Sequence, residues 1–256
     1  MAQVLSRSAL LAAIEADSLL QRVFAHAQRV CAGDPAHDIE HLLRVARWTI
    51  AIQGEAAELR ECACAALLHD IVNLPKNHPD RARASALSGQ AARELIALDL
   101  SPDAIERVVQ AIEDHSFSAG RRPRSPLGEA LQDADRLEAL GALGIARTFS
   151  TGVRLGADYF DPFDPWSERR ELDDLRFSVD HFSRSSCGCQ RRCARSAVAP
   201  RHRSARASWS RFCARWPTKL AFRCRPSARG PASSARNLRA ECWRTNCGVE
   251  RRRRPY

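Results

Sequence analysis

The stretch Cys64-Ala65-Ala66-Leu67-Leu68-His69-Asp70 decides how this chain is read, because an apolar run closes there on an imidazole and a carboxylate. Such a run predicts a buried helix, and a His-Asp pair at its end sets two metal-ligating groups against a core. Upstream, His41 lies in Glu40-His41-Leu42-Leu43-Arg44-Val45, and downstream Asp135 lies in Gln132-Asp133-Ala134-Asp135-Arg136-Leu137. Two imidazoles and two carboxylates meeting at one point leave two octahedral positions for water or phosphate. That donor set suits Mn²⁺, Fe²⁺, Co²⁺ or Ni²⁺ better than a closed tetrahedral zinc. The pattern reads as a catalytic metal site.

Working outward, apolar residues recur at three- and four-residue spacing near 3–16, 19–32, 39–53, 56–73, 81–98, 102–115, 127–149 and 167–182, and no stretch alternates as a strand does. Breaks fall at Asp34-Pro35, Gly54, Leu74-Pro75 and Ser101-Pro102, where capping and proline chemistry predict them. The fold class is therefore an all-α bundle. On the 39–53 helix, His41, Val45 and Trp48 share one face, so the imidazole looks inward with the apolar stripe. His69 and Asp70 diverge by about 100° around their helix, close enough for a long imidazole and a short carboxylate to approach one ion. Asp133 and Asp135 diverge by about 200°, so only one of them can face the ion.

The order His, His-Asp, Asp on helices resembles the HD-domain metal-dependent phosphohydrolases. The wording Leu67-Leu68-His69-Asp70-Ile71, His115-Ser116-Phe117-Ser118 and Asp133-Ala134-Asp135-Arg136-Leu137 is similar to their bacterial single-domain branch of nucleotide pyrophosphohydrolases. The resemblance covers roughly residues 18–183. It implies an HD-domain helical bundle with His41, His69, Asp70 and Asp135 as metal ligands, choosing Asp135 over Asp133. It also implies a divalent cofactor, Mn²⁺ first, with Fe²⁺, Co²⁺, Ni²⁺ and Mg²⁺ as further candidates. The implied activity is phosphoester or phosphoanhydride hydrolysis, in the close branch cleavage of a (deoxy)nucleoside triphosphate to monophosphate and pyrophosphate. In this reading the ion supplies an acidic water, and Asp70 assists catalysis by hydrogen-bonding that water through its second oxygen.

Other polar residues divide between site and scaffold. Lys76, His78 and Arg81 lie in the loop just after the ligand pair and are expected to contact substrate phosphate, the alternative being a solvated loop. His115 is either a substrate or ligand-supporting group or a polar residue at a helix end. Arg121, Arg122 and Arg124 form a second basic loop, read mainly as solvent-exposed. In the second His-Asp pair, His37-Asp38, Asp38 is expected to cap a helix. No Gly-rich phosphate cradle of the P-loop type is present.

The net charge of +10 describes neither half of the chain, because residues 184–256 carry 19 Arg, 1 Lys and 2 acids, a net of +18, which leaves −8 for residues 1–183. Cys31, Cys62 and Cys64 lie among apolar helical residues, as reduced thiols do, and no signal peptide or 18-residue apolar run is seen. A cytoplasmic setting without membrane contact is expected. Residues 1–183 are read as the phosphohydrolase domain, and residues 184–256 as an Arg/Cys-rich tail with the composition of coding DNA read out of frame. One back-translation of residues 184–195, shifted by a base, gives the amphipathic KLLRLPATMRT. The tail is expected to be disordered and to bind nucleic acid adventitiously. An evolved basic arm with Trp209, Trp216 and Trp243, or a zinc module from its seven cysteines and His202, are the competing readings. Under the first of these, the protein is a nucleic-acid-associated one with a non-catalytic helical scaffold. A frameshift at 184 would leave the stripe Leu172, Leu175, Val179, Phe182 without partners, so the surface near Phe177 and Phe182 is expected to be exposed.

Overall fold

A computed structural model describes residues 4–74, 78–116 and 121–182. Lys76 and the 184–256 tail fall outside them, as do Phe117 and Ser118. The order is α1 (Arg7–Glu15), α2 (Ser18–Val30), α3 (Ile39–Gln53), α4 (Leu59–Leu68), α5 (Ala84–Ile96), α6 (Pro102–Asp114), α7 (Pro126–Glu138) and α8 (Gly141–Arg154). Starts are fixed by side-chain oxygens on free backbone N–H groups: Ser6 on Ala9, Asp17 on Leu19 and Leu20, Asp38 on His41, Ser101 on Ala104 and Ser125 on Gly128. Pro102 and Pro126 occupy first-turn positions, where their missing N–H costs nothing. Asp38 thus caps α3, as its sequence position predicts.

The core forms around α4, which is buried without interruption from Glu61 to Leu68. Its small residues Cys62, Ala63, Cys64, Ala65 and Ala66 let neighbouring helices approach closely. Burial pushes the Cys62 and Cys64 thiols up to about 12, so they stay protonated and pack as apolar groups. Helix α3 packs on α4 and α7, α6 on α4, α5 and α7, and α2 on α4. The arrangement puts the C-terminal ends of α4 and α6 beside the first turn of α3 and the last turns of α7. No helix among the described residues is long and apolar enough to cross a membrane.

Three expectations are corrected. The 127–149 helix is broken at Leu140 and Gly141, whose φ of +67° favours glycine, and becomes α7 and α8. Residues 167–179 are not the helix their spacing predicts but a chain of bends and turns, and helical backbone begins only at Asp180. Local side-chain acceptors hold them instead. Asp164 takes the backbone N–H groups of Glu168, Arg169 and Arg170, and the buried Asp180 pairs with Arg170 and accepts from the Asp173 N–H. That rearrangement buries Phe177 and Phe182, at 3% and 4% exposure, against the expectation that they would lie open. The exposed apolar residues in this part of the molecule are Leu143, Val153, Tyr159, Phe160, Phe163 and Leu175.

Candidate metal centre

Three imidazoles meet at the buried end of α4, each oriented by a partner that dictates its proton. His69, at the C-cap of α4, has Nδ1 2.7 Å from the Ala66 carbonyl, and a carbonyl only accepts, so Nδ1 bears the proton. His115, at the C-cap of α6, repeats this with Nδ1 2.6 Å from the Ile112 carbonyl. His41, in the first turn of α3, turns Nε2 to Arg147 Nη2 at 3.3 Å, and a guanidinium only donates. Its Nδ1 faces Glu138 Oε2 at 3.6 Å, and that carboxylate is held by Arg44 Nε at 2.6 Å. When neutral, all three rings therefore present an Nε2 lone pair. Their centroids run in a row, 5.6 Å from His41 to His69 and 4.8 Å from His69 to His115.

The carboxylates complete the pocket. Asp135 Oδ1 lies 3.5 Å from His41 Nε2 and 4.0 Å from His69 Nε2. Asp70 splits its oxygens, Oδ2 lying 3.5 Å from His69 Nε2 and Oδ1 3.4 Å from His115 Nε2. The four ligands expected from sequence are thus brought together, but as two overlapping triads, His41/His69/Asp135 and His69/Asp70/His115, with His69 common to both. With bonds of ~2.1 Å, ligand atoms around one ion stand ~3.0 Å apart when adjacent and ~4.2 Å apart when opposite, so these separations fit a cation. His69 Nε2 is buried with no hydrogen-bond partner, which a cation would supply.

Electrostatics agree with that fit. Burial holds His41 well below the usual imidazole range, with Arg147 adding to the effect, and burial likewise lowers His69. Both are therefore biased toward the neutral form, in which Nε2 can bind a cation. Burial works against ionising Asp70, yet His69 and His115 hold it well below the usual carboxylate range; burial opposes ionisation of Asp135 too, and His69, His41 and Arg147 lower it. Burial also opposes a charged His115, but its bond to Asp70 outweighs this and raises it. Asp70 and Asp135 keep 19% and 25% of their side-chain surface open while His41 and His69 keep none, so the pocket opens on its carboxylate side.

The remaining expected residues are placed as follows. Asp133 pairs with Arg136 at 3.5 Å. Arg81 donates to Asn73 Oδ1 and to the Leu74 carbonyl, bracing the loop after α4. His78 is engaged locally, its Nδ1 accepting the Asp80 N–H at 3.1 Å. Arg124 clasps Asp114 and Glu113. His37 Nδ1 donates to the buried Asp34 Oδ2 at 2.9 Å, which Arg154 and Asn73 also reach. Sequence reasoning missed Glu138 and Arg147. Glu138 follows Asp135 by one helical turn and was recoverable from that spacing; Arg147, 106 residues from His41, carries no local signal.

An all-helical domain closed around a His/Asp donor pocket is the class this geometry defines. The HD domain family matches residues 38–140. That match spans the pocket, from the Asp38 cap of α3 to the end of α7. It is 37% identical over 118 residues to the uncharacterized protein YpgQ of Bacillus subtilis (strain 168), a match spanning 44% of this chain and 56% of YpgQ, so little more than half of that relative's length is covered. The fold is similar to a Lactobacillus plantarum protein (TM-score 0.58, 24% identity, 78% of this chain and 97% of that one). It is also similar to an HD-superfamily hydrolase of Bacillus thuringiensis (TM-score 0.56, 23% identity, 82% and 97%). Bacillus subtilis YpgQ crystallised in complex with ADP aligns at a TM-score of 0.55 with 23% identity over 77% and 93%.

Proposed function

We propose that residues 1–183 form a divalent-metal phosphohydrolase acting on nucleotides, cleaving a (deoxy)nucleoside triphosphate to monophosphate and pyrophosphate, and that residues 184–256 are an out-of-frame addition. The observation that carries the reading is the meeting of the His41 and His69 Nε2 lone pairs with two ionised carboxylates, with no protein donor for the buried His69 Nε2. His41, His69, Asp70 and Asp135 would hold the ion, with Mn²⁺ the first candidate for a mixed imidazole and carboxylate set that leaves positions open. When bound, it supplies Lewis acidity toward a phosphoryl oxygen and an acidified water.

The chain's own groups do the rest. Asp70, bridging His69 and His115, can take a proton at Oδ1 from a water on the open side and hand it toward His115 Nε2. His115 fixes that oxygen, and its own ring is fixed by the Ile112 carbonyl. Glu138, 3.6 Å from His41 Nδ1 and without a hydrogen bond to it, favours a proton there by its charge. The ADP bound to Bacillus subtilis YpgQ supports a nucleotide as ligand. A non-catalytic scaffold gives three buried imidazoles no task. The test is the purified chain, stripped and reloaded with Mn²⁺ or Fe²⁺, supplied with nucleoside triphosphates, with pyrophosphate and phosphate measured separately. Phosphate release alone would move the bond cut; neither product with any nucleotide would remove the nucleotide reading.

A further inference from the structure

Arg147 is placed where a cation is least expected, with Nη2 3.3 Å from His41 Nε2, the atom that the site reserves for a metal. It comes from the middle of α8, and its Nε is tethered at 2.6 Å to the Ala36 carbonyl, in the turn that leads into α3. Other arginines near the pocket are spent on carboxylates: Arg44 on Glu138, Arg154 on Asp34, Arg124 on Asp114. Both contacts of Arg147 are to neutral acceptors, and among the described residues no carboxylate lies within ion-pair distance of it.

Charge counting gives that placement a purpose. A divalent ion between Asp70 and Asp135 makes a centre with no net charge, which has little long-range attraction for a phosphate dianion. A guanidinium at the same centre restores a positive charge. The hydrogen bonding points the same way. Once the His41 Nε2 lone pair is given to an ion, the Nη2–H of the half-buried Arg147 loses its acceptor and is left to pair with another. A phosphoryl oxygen bound beside His41 is the acceptor that replaces it, and the tether to Ala36 keeps the guanidinium within reach while it changes partner.

We propose that Arg147 is the residue that binds the phosphoryl oxygens of the substrate at the metal centre, so that the ligand on the α8 side is a phosphate or pyrophosphate group rather than the base or sugar. The proposal rests on the phosphohydrolase reading above. Its test compares the full chain with Arg147→Gln and Arg147→Lys by calorimetric titration of Mn²⁺ into the stripped protein and of inorganic pyrophosphate into the Mn²⁺-loaded protein. The Arg-rich tail is common to all three proteins, so their differences belong to Arg147.

Arg147→Gln is expected to bind Mn²⁺ as well as or more tightly than the parent, since a like charge has been removed. It should bind pyrophosphate about 10–100-fold more weakly. Arg147→Lys keeps the charge without the planar fork and should fall between. Unchanged pyrophosphate affinity in Arg147→Gln overturns the proposal while leaving the phosphohydrolase reading intact, and so does a loss of Mn²⁺ affinity, which would make Arg147 a support for His41. A parent protein that binds Mn²⁺ yet neither binds nor hydrolyses any phosphate compound overturns both. Should Arg147→Gln not fold, as read by circular dichroism, Arg147→Lys decides on the same titration, parental pyrophosphate affinity counting against the proposal.

Discussion

Helices α4 and α8 both deliver a functional group to the same pocket, and they are held in place by opposite means. Helix α4 is enclosed on every side, its small and apolar residues buried from Glu61 to Leu68, so that His69 and Asp70 emerge from the most constrained part of the molecule. Helix α8 buries only Gly141, Gly144 and Gly152, turns Leu143 and Val153 outward, and is fastened by polar contacts such as Arg147 to Ala36 and Arg154 to Asp34. The difference teaches where the fold places geometric precision. The two proposed ligands His69 and Asp70 come from the end of a helix enclosed in the core, and the group argued to follow a substrate comes from one fastened by exchangeable hydrogen bonds.

The strongest way to break that contrast is at the ligand itself. Asp70→Ala should reduce metal-dependent hydrolysis to background while the helical circular dichroism stays near that of the parent, because the side chain lies past the end of α4 and contributes little packing. Retained turnover would remove Asp70 from the chemistry. A paired substitution sharpens the packing side. Leu67→Ala, in the sealed core, should cost about 2–5 kcal/mol by denaturant unfolding, whereas Val153→Ala on the outer face of α8 should stay within about 0.5 kcal/mol. Equal losses would mean that the two helices are not packed differently after all.

Glu138→Gln tests the support behind the ligands. Replacing the carboxylate that faces His41 Nδ1 should weaken Mn²⁺ binding by about 10–100-fold with little change in unfolding temperature, since the amide fills the same space. Unaltered affinity would make the 3.6 Å approach incidental.

The smallest effect is in the pH dependence of the metal-free protein. His41 and His69 are lowered by burial, so below about pH 6.5 the unfolded chain takes up protons that the fold refuses, and stability falls as the pH drops. His115 is raised, against its burial, by Asp70; its contribution is complete below about 6.5 and is lost as the pH rises through its folded value. Thermal unfolding in a chelator should therefore peak near pH 6.5. A melting temperature that climbs steadily from pH 6 to pH 8 would contradict the balance of these imidazoles.

Much of this was legible in the chain, for reasons that differ by region. Helices α1 to α6 follow apolar spacing, with side-chain caps that act within a few residues at α1, α2, α3 and α6, and His41 declares its inward face through Val45. The break between α7 and α8 depends on one glycine with positive φ inside a continuous apolar pattern, which periodicity alone passes over. Residues 167–182 mislead because their apolar spacing is helical while Asp164, Asp173 and Asp180 win the backbone N–H groups. In the site, the residues that meet at the pocket were readable from their motifs, but partners that act from another helix, Glu138 and Arg147, are set by tertiary approach. Lys76 and the tail lie outside the described residues.

The anchoring of His69 and His115 to the carbonyls of Ala66 and Ile112 carries a consequence for how such a pocket varies over generations. A carbonyl is present whatever the codon specifies, so point mutation at positions 66 and 112 leaves those two rings with the same hydrogen-bond acceptor. His41 has no such guarantee, because its proton faces a side chain, Glu138, that a single base change can remove. Drift in this centre, toward a different metal or a different rate, is therefore most accessible through the α3 and α7 side of the pocket, while the α4 and α6 side is conserved by the main chain itself.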